Sequence, residues 1–143
     1  MKQPDTETVL RRLKIRATRK KVAVLDAIMN SYRPLDAYEL HDRISRTLPV
    51  DLATVYRTLS LFKEKKIVHE IVDRSGVLYY EPAVESSRFH PHFKCERCKL
   101  FYCLPAVRYE DVDNFFHTGA DFETHDIAVT LTGLCSHCQK EGK

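Results

Sequence analysis

Two short cysteine pairs, Cys95-x-x-Cys98 and Cys135-x-x-Cys138, constrain the fold of this chain more than any other feature. Each pair presents two sulfurs from one tight turn, and four thiolates from two such turns are a ligand set for a tetrahedral zinc ion. A redox-active pair is the alternative, but that motif belongs at the start of a helix in a βαβ unit, and two pairs in one small domain favour zinc. We therefore predict a closed structural zinc site.

A second group of metal ligands, His90-Pro91-His92, precedes the first cysteine pair. On a strand, residues i and i+2 point to the same face, so both imidazoles can reach one ion. The chain thus offers ligands for a second and more open site. A metal site that fills and empties suits a sensor.

The length of 143 residues allows one ordinary domain or two small ones. The sequence has no apolar run long enough to span a membrane. Residues 1–8 are polar and acidic, unlike a secretory signal, which predicts a cytoplasmic protein. In that compartment five cysteines favour metal binding over disulfides.

The charges and the metal-binding residue types are distributed unevenly along the chain. Residues 1–66 hold 15 Lys/Arg and 8 Asp/Glu, a balance of +7, whereas the remainder has a balance of −4. Six of the seven histidines and all five cysteines lie in the acidic second half. A basic half suits nucleic acid, because phosphate contacts supply much of the affinity, although a solvated positive face has the same composition.

The first half is predicted to be helical, followed by a hairpin. Three helices have candidate N-terminal caps: Thr18, Asp36 and Asp51. Three cations lie at the start of the second helix: Arg19, Lys20 and Lys21. The helix dipole disfavours positive charge there, so their position indicates phosphate contacts. Residues 67–72 and 77–81 read as two strands joined by a turn, so that helices followed by a two-stranded wing predict a winged helix.

The fourth predicted helix has an apolar stripe on one face. Its other face carries Thr54, Tyr56, Arg57, Ser60 and Lys63. Such a face is suited to a DNA major groove, although an ordinary solvated face has a similar composition. Residues 82–87 read as a linker. The second half is predicted to contain strands at 89–93, 100–104 and 122–134 and a helix at 108–116.

Six strings carry a resemblance to a known family: Thr18-Arg-Lys-Lys-Val-Ala-Val-Leu25, Asp36-Ala-Tyr-Glu-Leu40, Ala53-Thr-Val-Tyr-Arg-Thr-Leu59, Gly76-Val-Leu-Tyr-Tyr-Glu81, His90-Pro-His-Phe-Lys-Cys-Glu-Arg-Cys98 and Gly133-Leu-Cys-Ser-His-Cys138. In this order they resemble the ferric uptake regulator family of bacterial metal-dependent repressors over essentially the whole chain. The resemblance implies an α+β protein with a winged-helix DNA-binding domain at 1–81, a hinge at 82–88 and a small α/β metal-binding dimerisation domain at 89–143.

The resemblance further implies a homodimer that binds palindromic operator DNA. Tyr56 and Arg57 match the recognition-helix residues of the family, and Thr54 is a candidate backbone contact. We expect Arg57 to contact phosphate or guanine. The cations Arg19, Lys20 and Lys21 are expected to supply nonspecific phosphate affinity, with Lys21 at a position where arginine is usual.

A sensing metal between the two domains is also implied by the resemblance. Its candidate ligands are His69, Glu81, His90, His92 and Cys103. His69 stands where zinc-sensing members tend to place a histidine or aspartate, and Cys103 where iron-sensing members often place a glutamate. A thiolate favours zinc over Fe(II) or Mn(II). Whether Tyr80 or Glu81 faces the metal, and whether Cys103 is a ligand or a buried inert thiol, both stay open. His117 fits no pattern.

The chain departs from the family in places that bear on the metal. Phe89 and Pro91 replace two ligands of a further site whose other members would be Glu110 and His125, so that site is predicted to be absent or weak. Arg33 stands near a position where iron-sensing members often have a histidine, which disfavours iron.

These observations predict a zinc-responsive repressor that controls metal uptake genes and is not an enzyme. An iron- or peroxide-sensing repressor of the same family is the alternative. A thiol–disulfide oxidoreductase built on the cysteine pairs is a remote third. The sequence has no glycine-rich phosphate loop and no G-x-S-x-G string.

Overall fold

The computed structural model describes residues 5–83, 88–117, 119 and 121–142 and divides the chain into two compact units, residues 1–83 and 84–143. The predicted hinge at 82–88 stays a prediction, because residues 84–87 lie outside the described residues. No helix in the described parts of either unit is long and apolar enough to cross a membrane.

The first unit is the winged helix that the sequence predicts. Its elements are α1 (Thr6–Arg12), α2 (Arg19–Met29), β1 (Leu35–Asp36), α3 (Ala37–Ser45), α4 (Leu52–Glu64), β2 (Val68–Val72) and β3 (Leu78–Pro82). The sheet has the order β1-β3-β2, and both pairings are antiparallel. Strands β2 and β3 form the wing, with Val68 opposite Pro82 and Val72 opposite Leu78.

The predicted capping residues set the starts of three helices. The Thr18 hydroxyl accepts a hydrogen bond from the Lys21 amide at 3.3 Å, and the Asp51 carboxylate accepts one from the Thr54 amide at 2.8 Å. At α3 the caps are reciprocal, because Asp36 accepts from the Glu39 amide and Glu39 accepts from the Asp36 amide. These bonds satisfy amides that have no partner within the helix.

The apolar faces of the four helices meet in one core that also takes in the wing. Its most completely buried side chains include Leu10, Leu25, Leu40, Leu59 and Phe62. The core residues recur at helical spacing along each helix, as the sequence pattern predicts. Burial of this apolar area gives the first unit its own source of stability.

A partly buried ion pair joins the loop before β1 to α3. Arg33 donates two hydrogen bonds to the Glu39 carboxylate, from Nη2 to Oε1 at 2.6 Å and from Nη1 to Oε2 at 3.2 Å. The two side chains are 12% and 30% exposed. Burial opposes ionisation of Glu39, but the hydrogen bonds from Arg33 and from the Asp36 amide hold the pKa of this carboxyl below its ordinary value of 4.5.

The second unit is built on two small sheets. Its elements are β4 (Arg88–Phe89), β5 (His92–Cys95), β6 (Phe101–Cys103), β7 (Val107–Arg108), α5 (Tyr109–Phe116), β8 (Thr130–Gly133) and α6 (Ser136–Glu141). Strands β4 and β7 pair antiparallel. The other sheet has the order β6-β5-β8, with β5 antiparallel to β6 and parallel to β8.

Two strand predictions in this unit are wrong in extent. The predicted strand at 89–93 is interrupted at His90-Pro91, because proline has no amide to donate to a sheet. The predicted strand at 122–134 is limited to Thr130–Gly133. Its pairing with β5 begins at Thr130 opposite His92, so the strand can extend no further toward its start than β5 does.

We expect Glu39→Gln to lower the free energy of unfolding by about 1–2 kcal/mol at neutral pH. Glutamine keeps the capping geometry and loses the charge that Arg33 pairs with. Because the folded-state pKa of Glu39 is depressed, the ion pair stabilises the fold above the ordinary pKa of 4.5 and is lost as pH falls through the folded pKa. Urea unfolding of wild type and variant should therefore converge in acid. Glu64→Gln, at an exposed position on α4, is the control. An equal difference in unfolding free energy between wild type and Glu39→Gln at neutral and at acid pH would contradict this account.

Candidate functional site

The four knuckle cysteines come together within the second unit. Their Sγ atoms all lie within 4.8 Å of one another, and those of Cys98 and Cys135 are 3.9 Å apart. Tetrahedral zinc with bonds of about 2.3 Å places its sulfurs about 3.8 Å apart, so the cluster fits this ion with little movement. All four are free thiols, and Cys95 and Cys138 are buried. The predicted cluster is therefore present with the chemistry and the spacing of a zinc site.

Backbone hydrogen bonds shape the first knuckle. The Cys95 amide donates to the Leu100 carbonyl at 3.0 Å, and the Lys99 amide donates to the Cys95 carbonyl at 3.1 Å. Lys99 adopts a left-handed conformation with φ of 63°, which closes the turn. The ammonium of the buried Lys94 donates to the Lys99 carbonyl at 2.5 Å, and this bond supports the turn.

Parallel pairing of β5 with β8 brings the second knuckle to the first. The Glu96 amide donates to the Gly133 carbonyl at 2.8 Å, which extends the ladder into the first knuckle. Cys135 then lies at the N-cap of α6, and its amide points at the Cys95 sulfur at 3.4 Å. The register of this strand pair thus decides which sulfurs meet.

The electrostatics of the cluster favour a bound cation. The Cys135 amide lowers the pKa of Cys95 to about 6. Burial, together with the neighbouring sulfurs, raises the pKa of Cys138 to about 12. Four thiolates so close together repel one another, and a divalent cation offsets that repulsion.

A second group in the same unit consists of His90, His92 and Cys103. Their ligand atoms lie within 4.8 Å of one another. His92 lies directly opposite Cys103 in the β5–β6 pair, and the two imidazole rings are 4.7 Å apart. The prediction that both histidines lie on one strand is wrong, because His90 precedes β5. The two rings are nevertheless close together. Cys103 is exposed, which rules out the buried inert thiol.

The other two predicted sensing residues lie on the wing in the first unit. Glu81 is only 5% exposed, and its Oε1 lies 3.3 Å from Nδ1 of His69 on the neighbouring strand. Tyr80 points to the opposite face and belongs to the hydrophobic core. Of these two neighbours, Glu81 is therefore the one that a metal could reach.

The residues of the predicted further site stand apart from these groups. Glu110 is exposed in the first turn of α5, and His125 is exposed outside regular structure. Among the described residues, neither joins a group of three or more potential metal ligands. His117 ends α5 in a left-handed conformation with φ of 51°, so its position in the fold is a helix C-cap.

The predicted DNA-facing residues gather around the starts of α2 and α4 in the first unit. Arg57 is exposed, and its Nη2 donates to the Thr54 hydroxyl at 3.1 Å, while Tyr56 is 41% exposed. A concavity of about 300 Å³ lies between the two helices, lined by Thr18, Lys20, Lys21, Thr54, Arg57, Thr58 and Leu61. Arg19 is exposed beside them. The two helix starts and the cations together suit phosphate groups.

Sequence reasoning missed two residues that contact the cysteine cluster. The Tyr102 hydroxyl lies 4.0 Å from the Cys98 sulfur. Nη1 of Arg97 donates to the Cys138 carbonyl at 2.6 Å. The contact of Tyr102 is local, four residues from Cys98, whereas that of Arg97 joins residues 41 apart and depends on the fold. The signal for Arg97 was its position inside the first knuckle.

Comparison with known proteins extends over nearly the whole chain. The ferric uptake regulation protein of Bacillus subtilis (strain 168) is 30% identical over 121 residues, 83% of this chain and 81% of that protein. The peroxide-responsive repressor PerR of Staphylococcus epidermidis (strain ATCC 12228 / FDA PCI 1200) is 26% identical over 140 residues, 93% of this chain and 87% of that protein.

Solved structures share the fold. The ferric uptake regulator of Vibrio cholerae superimposes with a TM-score of 0.77 at 21% identity, covering 92% of this chain and 100% of that one. A zinc uptake regulator solved with zinc and DNA superimposes with a TM-score of 0.66 at 23% identity, covering 95% of this chain and 91% of that one.

The model of the ferric uptake regulator family matches residues 12–132 of the sequence. This match takes in most of the winged helix, the first cysteine knuckle and the histidine–cysteine group. Together with the relative from Bacillus subtilis, it shows that the chain belongs to the ferric uptake regulator family of metal-responsive transcription regulators.

Proposed function

We propose that this protein is a homodimeric transcriptional repressor that binds operator DNA when zinc occupies a reversible sensing site. The observation that carries the proposal is the group formed by His90, His92 and Cys103, which offers two nitrogens and one sulfur in the same unit as the four-cysteine cluster. Nitrogen and sulfur ligands favour zinc over the harder Fe(II) and Mn(II) ions. Control of zinc uptake genes is the regulatory role that this ligand set fits.

The four-cysteine cluster would hold a structural zinc ion. Cys95, Cys98, Cys135 and Cys138 supply four sulfur ligands and leave no position open for another ligand, as in structural zinc sites. Such an ion supplies folding free energy and no chemistry. The cluster is therefore assigned to stability, and sensing is assigned to the histidine–cysteine group.

We assign Glu81 and His69 to the sensing site as further ligands. A carboxylate that is 5% exposed requires a charged or hydrogen-bonding partner, and its contact with His69 supplies one. An ion that joined these wing residues to His90 and His92 would tie the winged helix to the second unit. Arg33 offers no ligand, since a guanidinium has no free lone pair and this one is held by Glu39.

Metal binding would then act on DNA binding through domain orientation. A recognition helix reads a half-site only when its partner in the dimer is correctly spaced. Ligands from both units would favour one arrangement of the winged helices. The coupling is reciprocal, so operator DNA should raise zinc affinity by the same factor.

Dimerisation is supported by apolar side chains that the second unit leaves exposed. Helix α5 has no buried residue, and Phe115 and Phe116 are 76% and 63% exposed. Phe122 and Leu131 are 73% and 51% exposed in the same unit. Exposed apolar side chains in such number are typical of a surface that a second protein covers. We assign that surface to a second copy of this chain.

The DNA surface would combine α4 with the start of α2. Tyr56 and Arg57 would reach base edges or the backbone in the major groove, and Thr54 would orient the Arg57 guanidinium through their hydrogen bond. Lys20 and Lys21, with Arg19, would contact phosphates. The concavity between the two helix starts gives a phosphate a place to sit.

A peroxide-sensing repressor is the second candidate. The exposed thiol of Cys103 and the similarity to a peroxide-responsive repressor favour it. Fe(II)-loaded protein treated with hydrogen peroxide and analysed by mass spectrometry separates the candidates. One added oxygen atom on His90 or His92, or oxidised Cys103, together with loss of operator binding, would favour peroxide sensing.

A thiol–disulfide oxidoreductase is disfavoured, because each cysteine pair lies against the sulfurs of the other.

We expect Cys138→Ser to lose the tightly held zinc and Cys103→Ser to keep it. Both changes replace one sulfur by oxygen, but only Cys138 belongs to the closed cluster. Elemental analysis after dialysis against a mild chelator gives zinc per chain, and wild type should keep one ion. Retention of that ion by Cys138→Ser would contradict the structural assignment.

We expect His92→Ala to reduce zinc affinity at the sensing site by at least about 10-fold and to abolish zinc-dependent operator binding. His92 is 5% exposed and central to the ligand group. His137→Ala is the matched control, because His137 is exposed and pairs with Glu141 on α6. Fluorescence anisotropy of labelled operator DNA during a zinc titration measures both quantities. Unchanged zinc dependence in His92→Ala would exclude this mechanism.

We expect Arg57→Ala to weaken operator binding and, if the contact is to phosphate, to reduce the salt dependence of log Kd by about one unit. A base contact would instead cost about 1–3 kcal/mol and relax specificity at one position. Arg43→Ala, an exposed arginine on α3, is the control. Anisotropy measured over a range of salt concentrations distinguishes these outcomes, and equal effects of the two substitutions would argue against α4 as the recognition helix.

A further inference from the structure

Apart from the sulfurs, a side chain also joins the two knuckles. Arg97 lies inside the first knuckle, and its Nη1 donates to the carbonyl oxygen of Cys138 on α6 at 2.6 Å. The last four carbonyls of a helix have no partner within it, and Cys138 is among these in the short helix α6. The guanidinium therefore satisfies an acceptor that the helix leaves open. A hydrogen bond from a charged donor is stronger than one between neutral groups.

Gly142 supplies the space for this contact. A Cβ built on Gly142 would lie 3.0 Å from both Nη1 and Nη2 of Arg97 and 3.5 Å from its Cζ. The backbone there has φ of −90° and ψ of 3°, a conformation that any residue can adopt. Glycine is thus not needed for the chain to turn. What its missing side chain provides is room for the guanidinium against the end of α6.

We propose that Arg97 is a positioning residue for the four-cysteine zinc site and that Gly142 keeps its place open. The proposal rests on the structural zinc ion proposed above. Arg97 holds the backbone of Cys138 against the first knuckle independently of the metal. When a bond between zinc and the Cys138 sulfur opens, that sulfur stays close to the ion and rebinds it, since the local concentration of a tethered ligand is high. Loss of the contact should therefore increase the rate of zinc release.

The experiment measures zinc transfer from zinc-loaded full-length protein to a chromogenic chelator in reductant. We expect Arg97→Ala to release zinc several-fold to about 10-fold faster than wild type. Arg97→Lys should be intermediate, since an ammonium keeps the charge and loses the planar fork. Arg108→Ala is the matched control, because Arg108 is an exposed arginine of the same unit that pairs with Asp111.

A double-mutant cycle tests the role of Gly142. Gly142→Ala should increase zinc release by less than Arg97→Ala does, because a Cβ 3.0 Å from the guanidinium nitrogens requires that group to shift by a few tenths of an ångström. It should have no further effect in Arg97→Ala, where the guanidinium is gone. An equal effect of Gly142→Ala in both backgrounds would overturn the pairing. Release rates of Arg97→Ala and Arg97→Lys equal to that of Arg108→Ala would overturn the positioning role.

Cobalt substitution separates this inference from the zinc site itself. Cobalt-loaded wild type and Arg97→Lys should both show the absorption of tetrahedral thiolate coordination, with only the release rate changed. If wild type binds neither zinc nor cobalt at the four cysteines, the structural zinc site is wrong and this proposal is overturned with it. If metal binds and every release rate matches the control, the positioning role alone is wrong. Gly142→Ala keeps the test available where Arg97→Ala does not fold.

Discussion

The parallel pairing of β5 with β8 is the interaction on which the second unit depends. It fixes Cys95 opposite Gly133 and thereby places both cysteine knuckles at the same edge of the sheet. Within the described part of this unit the buried residues are few: His92, Lys94, Cys95, Phe101 and Cys138. Two of these are cysteines of the cluster, and Phe101 is the only large apolar side chain among them. So small a core supplies little of the free energy of folding, and a bound metal, together with a second copy covering the exposed apolar side chains, would supply the rest.

The first unit differs in its source of stability. Helices α1 to α4 and the wing bury a continuous apolar core, and capping bonds at Thr18, Asp36 and Asp51 fix where its helices begin. This unit needs no metal to fold by the same argument from core size. Metal binding would therefore change the orientation of this unit and leave its internal structure unchanged. Separate sources of stability for the two units suit a regulator whose DNA-binding surface is constant and whose arrangement is variable.

The sequence predicted what is local. Caps depend on residues three apart, the wing turn on Asp73 to Gly76, and each knuckle on a pair of cysteines, so all three were visible as short patterns. The extent of β8 was not predictable, because it is set by where β5 starts after Pro91, about forty residues earlier in the chain. The contact between Arg97 and Cys138 was missed for the same reason, since it exists only once β5 and β8 have paired. Cys103 is exposed at the end of β6 whereas Phe101, on the same strand, is fully buried, and the sequence pattern did not distinguish the two.

The two metal groups share one strand, and this connects stability to sensing. His92 begins β5 and Cys95 ends it. The cysteine cluster offers four sulfurs, a type of ligand that binds zinc as the thiolate, whereas the second group offers two imidazole nitrogens and one exposed thiol. Fewer anionic ligands attract a divalent cation less strongly, so the second group is the one suited to reversible binding. Zinc in the closed cluster would fix the end of β5 and hold His92 opposite Cys103 before the second ion arrives. The structural ion would in this way preorganise the sensing site, and reversible zinc binding would require the closed site to be filled first.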